Sequence, residues 1–327
     1  MTDSIRRLLG RKADARQTEE ELEAVKKRVQ RQRRELAEKD REIRALEARL
    51  SGAADRRAAP TAENPDTATA GRDGALPDFV VVGAMKGGTT FFYRMLSQHP
   101  SVRPAGRKEV QFFDLGFHRG EGWYRSHFPP PGPGGENTIT GEATPYYLFH
   151  PSAAGRMARL VPKARIIVLL RNPTDRAYSH YNHTVRAGFE NLSFEDAVEI
   201  EQLRLRGERE KLVEDGRYNS FNHRWYSYLA RGVYVDQLST WAGLFGGERM
   251  LVMRSEDFFS NRAEVLDRAL GFLGLPPWEF RERKPREKTR PERRYEPMSA
   301  ATRARLDGYF EPHNRRLYEY LGEDFGW

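Results

Sequence analysis

Lys86, Thr89 and Thr90 share one short loop with Gly83, Gly87 and Gly88. An ammonium, two hydroxyls and glycines that let the backbone turn sharply are the parts of an anion cradle. Successive N–H groups can point at a phosphate, and the positive end of a following helix adds to that field. A Walker A loop, G-x-x-x-x-G-K-[ST], puts its Lys directly before the hydroxyl residue. Here Lys86 lies three positions before Thr89, which argues against an ordinary nucleoside triphosphatase. So placed, Lys86 can lie beside a bond being broken while Thr89 and Thr90 hold the phosphate, and nothing in the motif demands magnesium. A Gly-rich turn with a solvated Lys is the alternative for this loop alone.

A second polar pair, Arg171 and Ser179, follows another apolar run. Arg171 ends Arg165-Ile-Ile-Val-Leu-Leu170, and Pro173 suits the first turn of a helix that carries Ser179. These two side chains can converge on one anion. Taken alone, Ser179 reads first as a helix serine bonded to its own backbone. The elements that must position both clusters are two buried strands. Phe79-Val-Val-Val82 runs into the first loop, with Leu96 and aromatics at helical spacing beyond it, and residues 165–170 run into the second. Open parallel sheets bind ligands at that carboxyl edge.

These two segments resemble the 5'-phosphosulfate loop and the 3'-phosphate motif of the sulfotransferases that use 3'-phosphoadenosine 5'-phosphosulfate (PAPS). The similarity runs from about Asp78 to Trp327, including Ala230-Arg-Gly-Val-Tyr234 through Trp241 and Phe310-Glu-Pro-His-Asn314. It is closer to the heparan sulfate (glycan) type than to the small phenol and steroid enzymes. The resemblance implies an α/β, P-loop-like domain with a central parallel sheet flanked by helices. It implies that Thr89, Thr90 and the amides of Gly87 and Gly88 grip the 5'-phosphate of PAPS, and that Arg171 and Ser179 grip its 3'-phosphate. Lys86 then stabilises the leaving group. Glu109, in Lys108-Glu-Val-Gln-Phe112-Phe113, becomes the base that takes the acceptor's proton; without the family it reads as a surface ion pair with Lys108. Arg290 and Arg294 are the candidate cofactor contacts in the basic loop 284–294, and a solvated charged loop is the alternative there. Two departures bear on the acceptor. Ala143 stands in Glu142-Ala-Thr144-Pro145 where heparan-type enzymes commonly carry Lys, and Gln111 stands where many relatives have His.

The composition narrows the classes. With 38% apolar residues the chain can bury a real core, and without cysteine it can use neither disulfides nor thiolates. The eight His form no metal-ligand spacing, so no metal is expected. Of the net charge of +8, residues 1–60 hold 17 Lys and Arg against 12 Asp and Glu, and residues 281–294 hold 8 against 3. Such local surpluses suit a small polyanionic cofactor and not the continuous basic stripe of a nucleic-acid groove. No run approaches the ~18 apolar residues needed to cross a bilayer and no leader is recognisable, so a cytoplasmic protein is expected.

Leu22, Val25, Val29, Gln32, Leu36, Lys39, Ile43, Leu46 and Leu50 follow heptad spacing. Residues 1–50 are therefore expected to form a coiled-coil helix that makes a homo-oligomer or binds a partner; a single solvated helix is the alternative. Residues 51–77, rich in Ala, Thr, Gly and Pro, read as a flexible linker, and residues 78–327 as the sulfotransferase domain. Within that domain Ile139–Pro145 and Arg249–Arg254 read as further strands, with a helix at 152–160. The function expected is sulfuryl transfer from PAPS to a hydroxyl of a carbohydrate, lipid or secondary metabolite. A P-loop nucleotide kinase and a non-catalytic coiled-coil scaffold are the rivals.

Overall fold

A computed structural model of the chain describes residues 74–130, 138–280 and 296–327. The proposed coiled coil, Arg290 and Arg294 lie outside the described residues.

Five strands, β1 (Phe79–Gly83), β2 (Val102–Pro104), β3 (Ile139–Ala143), β4 (Arg165–Leu170) and β5 (Met250–Arg254), form one sheet in the order β2-β3-β1-β4-β5. Every neighbouring pair is parallel, so each connection must cross a face of the sheet and cover it. That explains why β1 and β4 are near-continuous apolar runs. Val80, Val82, Ile166, Val168 and Leu170 face one core, and Phe79, Val81, Ile167 and Leu169 face the other. The first core is closed by α3 (Ala153–Leu160), α9 (Tyr234–Phe245) and the end of α12 (Ala300–Leu321), the second by α1 (Thr89–Leu96) and α11 (Arg262–Leu273).

The central position of β1 sets up the site. β3 and β4 flank it in parallel, so the loops after Gly83, Ala143 and Leu170 all emerge at one edge. The loop after β4 opens α4 (Pro173–Arg186), whose N-cap Asn172 accepts the N–H of Asp175 at 3.1 Å, with Pro173 in the first turn. Between α1 and β3 lie a π-helical turn (Phe112–Gly116) and α2 (Gly120–Arg125). After α4 come four short helices, α5 (Phe194–Glu199), α6 (Glu201–Leu205), α7 (Glu208–Glu214) and α8 (Phe221–Trp225). The single-turn helix α10 (Ser255–Ser260) leaves the end of β5.

Residues 74–77, expected to belong to the linker, pack on the domain. Ala75 N–H donates to the Pro129 carbonyl at 3.0 Å, and Leu76 lies against the first core. One leucine in an otherwise small and polar stretch is enough to dock it.

Candidate functional site

Gly83 ends β1, and the chain then turns back on itself: the N–H of Ala84 donates to Leu169 O at 2.8 Å and that of Gly87 to Ala84 O at 2.9 Å. A Cβ on Gly87 would stand 2.5 Å from Leu169 O, so this position admits only glycine. The Gly87 N–H is consumed by the turn, and Gly87 does not line the cavity described below. Its expected grip on a phosphate through that amide is therefore not what the structure shows; closing so tight a loop requires the donor. Gly88, at φ 85°, is the N-cap of α1, and the first N–H groups of that helix have no partner within it. Lys86 itself is left-handed at φ 72°, an uncommon state for a residue with a Cβ.

Lys86, Gly88, Thr89 and Thr90 line a cavity of about 440 Å³ together with Glu109, Arg171 and Ser179. The two sequence motifs thus meet: Arg171 Nη1 donates to the Lys86 carbonyl at 3.4 Å across 85 residues of chain. The Ser179 side chain makes no hydrogen bond to the backbone among the described residues, which disfavours the back-bonded alternative. Glu109 lines the cavity and also pairs with Lys108 at 2.5 Å.

The electrostatics of the cavity are cationic. Burial holds the Lys86 ammonium below its ordinary pKa, and the positive charges of Arg186, Arg171 and Arg176 lower it further. Among the described residues Glu109 is the one carboxylate that lines the cavity. A polyanion bound here would relieve that repulsion.

Sequence reasoning missed several wall residues. His183 lies one helical turn beyond Ser179 and lines the same cavity, its ring stacked on Trp225 at 5.7 Å; the i, i+4 spacing could have found it. Tyr146, Arg224 and Arg231 complete that wall. Arg231 is 3% exposed. It donates to Ser227 Oγ at 2.6 Å, to the carbonyls of His223 and Arg224 at 3.0 and 2.7 Å, and to Met85 Sδ at 3.0 Å, so it braces the residue next to Lys86. Burial pulls its pKa down to about 9. Nothing in the sequence assigns those partners to it.

Residues 76–303 match the sulfotransferase domain family. The chain belongs to that family. This sulfotransferase-family chain is 28% identical to the membrane-associated sulfotransferase kil1 of Dictyostelium discoideum, over 77% of this chain and 66% of that protein. It is 30% identical to the mouse heparan sulfate glucosamine 3-O-sulfotransferase 3A1, over 77% of this chain and 64% of that protein. It is 31% identical to the mouse bifunctional heparan sulfate N-deacetylase/N-sulfotransferase 4, over 75% of this chain but 30% of that protein. The chain thus spans less than two thirds of the length of these relatives. A solved sulfotransferase from Alicyclobacillus acidocaldarius superposes with a TM-score of 0.62 at 32% identity, covering 77% of this chain and 98% of that one.

These relatives overturn the expected cytoplasmic location, since they are a membrane-associated sulfotransferase and heparan sulfate enzymes. The inference failed because it rested on the lack of an apolar span. Among the described residues no helix is long and apolar enough to cross a membrane, but a span is only one route to a membrane.

Proposed function

We propose that the protein transfers a sulfuryl group from PAPS to an acceptor hydroxyl. The observation that supports this reading most is the convergence of the Lys86-Thr89-Thr90 loop and the Arg171-Ser179 pair on one cationic cavity. The 5'-phosphate side falls to Thr89, Thr90 and the unpaired amides at the start of α1, and the 3'-phosphate to the Arg171 guanidinium and Ser179 hydroxyl. PAPS supplies the activated sulfuryl group. Lys86 places a compact positive charge where the leaving phosphate oxygen gains electrons, and Glu109 accepts the hydroxyl proton as the new S–O bond forms. The products are a sulfate ester and 3'-phosphoadenosine 5'-phosphate. A kinase reading is disfavoured by the Lys86 spacing.

The acceptor side is the wall of Tyr146, His183, Arg224 and Trp225, suited to a ring with polar substituents. Relatives are named for heparan sulfate glucosamine, but Ala143 removes a cation from this edge, so a carbohydrate, lipid or secondary metabolite acceptor fits as well.

Calorimetric titration with 3'-phosphoadenosine 5'-phosphate and with ATP tests the reading. Tighter binding of the bisphosphate is expected; equal or reversed affinities would overturn it. In cell extract supplied with labelled PAPS, Glu109→Gln is expected to lower label transfer by about a hundredfold or more while bisphosphate binding is retained. Undiminished transfer would remove Glu109 from the mechanism.

A further inference from the structure

The backbone that carries Glu109 is strained and belongs to no strand. Glu109 and Gln111 both sit in the left-handed region, at φ 59° and 58°, and each costs on the order of 1 kcal/mol for a residue with a Cβ. Something must hold them there. Three consecutive N–H groups show what does: Val110 donates to Glu142 Oε2 at 3.3 Å, Gln111 to Thr144 Oγ1 at 3.3 Å, and Phe112 to the Tyr147 hydroxyl at 2.8 Å. Thr144 and Tyr147 pass the connection on, donating to Glu142 at 2.6 and 3.0 Å, and Tyr124 donates to Glu142 Oε1 at 2.8 Å. All three amides therefore end, directly or through one hydroxyl, on a single carboxylate that is 0% exposed.

The chemistry of that hub is specific. Four donors point at Glu142, and an ionised carboxylate is the acceptor-only group that can receive them all. Among the described residues no Lys or Arg forms an ion pair with it. Burial pushes its pKa up, and the bonds from Thr144, Tyr124, Tyr147 and Val110 pull it back. An amide of the same shape would turn its own N–H group toward other donors.

We infer that Glu142 is a positioning residue: its buried carboxylate sets the backbone of residues 109–112 and through it the direction in which the Glu109 carboxylate enters the cavity. The mechanistic importance of this rests on the reading of Glu109 as the base; the positioning itself does not.

The test uses the full chain with Glu142→Gln, Thr144→Val and Tyr124→Phe, and needs no acceptor. Hydrogen exchange of the segment 107–115 is expected to quicken by about tenfold in Glu142→Gln and less in the two hydroxyl deletions, with the segment 83–92 unchanged. Calorimetric affinity for 3'-phosphoadenosine 5'-phosphate should stay within about twofold of the parent. The carbon-13 chemical shift of the Glu109 carboxyl, identified by its loss in Glu109→Gln, should move in Glu142→Gln, a change that general loosening elsewhere would not produce. Unaltered exchange in residues 107–115, or an unaltered Glu109 signal in a variant that still binds the nucleotide, overturns the inference. Should Glu142→Gln fail to fold, the exchange and the Glu109 signal of Thr144→Val and Tyr124→Phe decide, because each removes one donor and leaves the carboxylate. Failure of the sulfotransferase reading would show separately, as loss of the parent's preference for the bisphosphate over ATP.

Discussion

At the scale of single residues, Glu201 shows how burial alone can turn an acid into a pH-dependent element. It is 3% exposed, accepts the N–H groups of Leu229 and Ala230 at 2.7 and 2.8 Å, and burial raises its pKa to about 7. Because the folded pKa exceeds the ordinary 4.5, its contribution is fully present below that value. It is lost as pH rises toward about 7, by on the order of 1–3 kcal/mol. The buried His150, His180 and His223, whose pKa values are lowered, act in the opposite direction over the same range. The diagnostic is therefore a difference between proteins. Urea unfolding of Glu201→Gln between pH 5 and pH 7.5 should lose less stability than the parent does. Identical losses would show that Glu201 does not titrate in the folded state as proposed.

At the scale of elements, the short helix α10 serves as a clamp between the two anion-facing loops. Ser255 Oγ donates to the Gly87 carbonyl at 2.9 Å, and Glu256 Oε1 accepts the N–H of Asn172 at 2.9 Å, beside Arg171. Tyr234 steadies the same turn by donating to the Arg171 carbonyl at 2.8 Å. Glu256→Ala leaves the Asn172 N–H without its partner, at a cost of about 1–3 kcal/mol. Thermal unfolding should register that loss, and calorimetry should show weaker binding of 3'-phosphoadenosine 5'-phosphate. A variant that keeps parental affinity would mean the Arg171 turn holds its shape without the clamp.

At the scale of the molecule, a cavity whose cations repel one another should gain stability when it is filled. The bisphosphate at a hundred times its Kd is expected to add about 2.7 kcal/mol. That corresponds to a rise in Tm of several degrees for a domain of this size, read by calorimetry. The rise should exceed that given by ATP and shrink with added salt as the charges are screened. No shift with the bisphosphate would mean that the lined cavity is not its site.

The sequence by itself determined four of the five strands and the parallel sheet, and it singled out Lys86, Thr89, Thr90, Glu109, Arg171 and Ser179, which line one cavity. The reason is that apolar runs, glycine loops and N-caps are local signals, and in this fold Lys86 and Arg171 lie just beyond the strands that carry them. Glu109 was legible only through its family. Tertiary structure alone decided that Lys86 and Arg171 touch across 85 residues, that the Gly87 amide is used up by its own turn, and that Arg231 braces Met85. It alone revealed Glu142 as the anchor of three amides that no ladder holds. Which donor meets which acceptor depends on distances between segments far apart in the chain, and residue spacing carries no record of those.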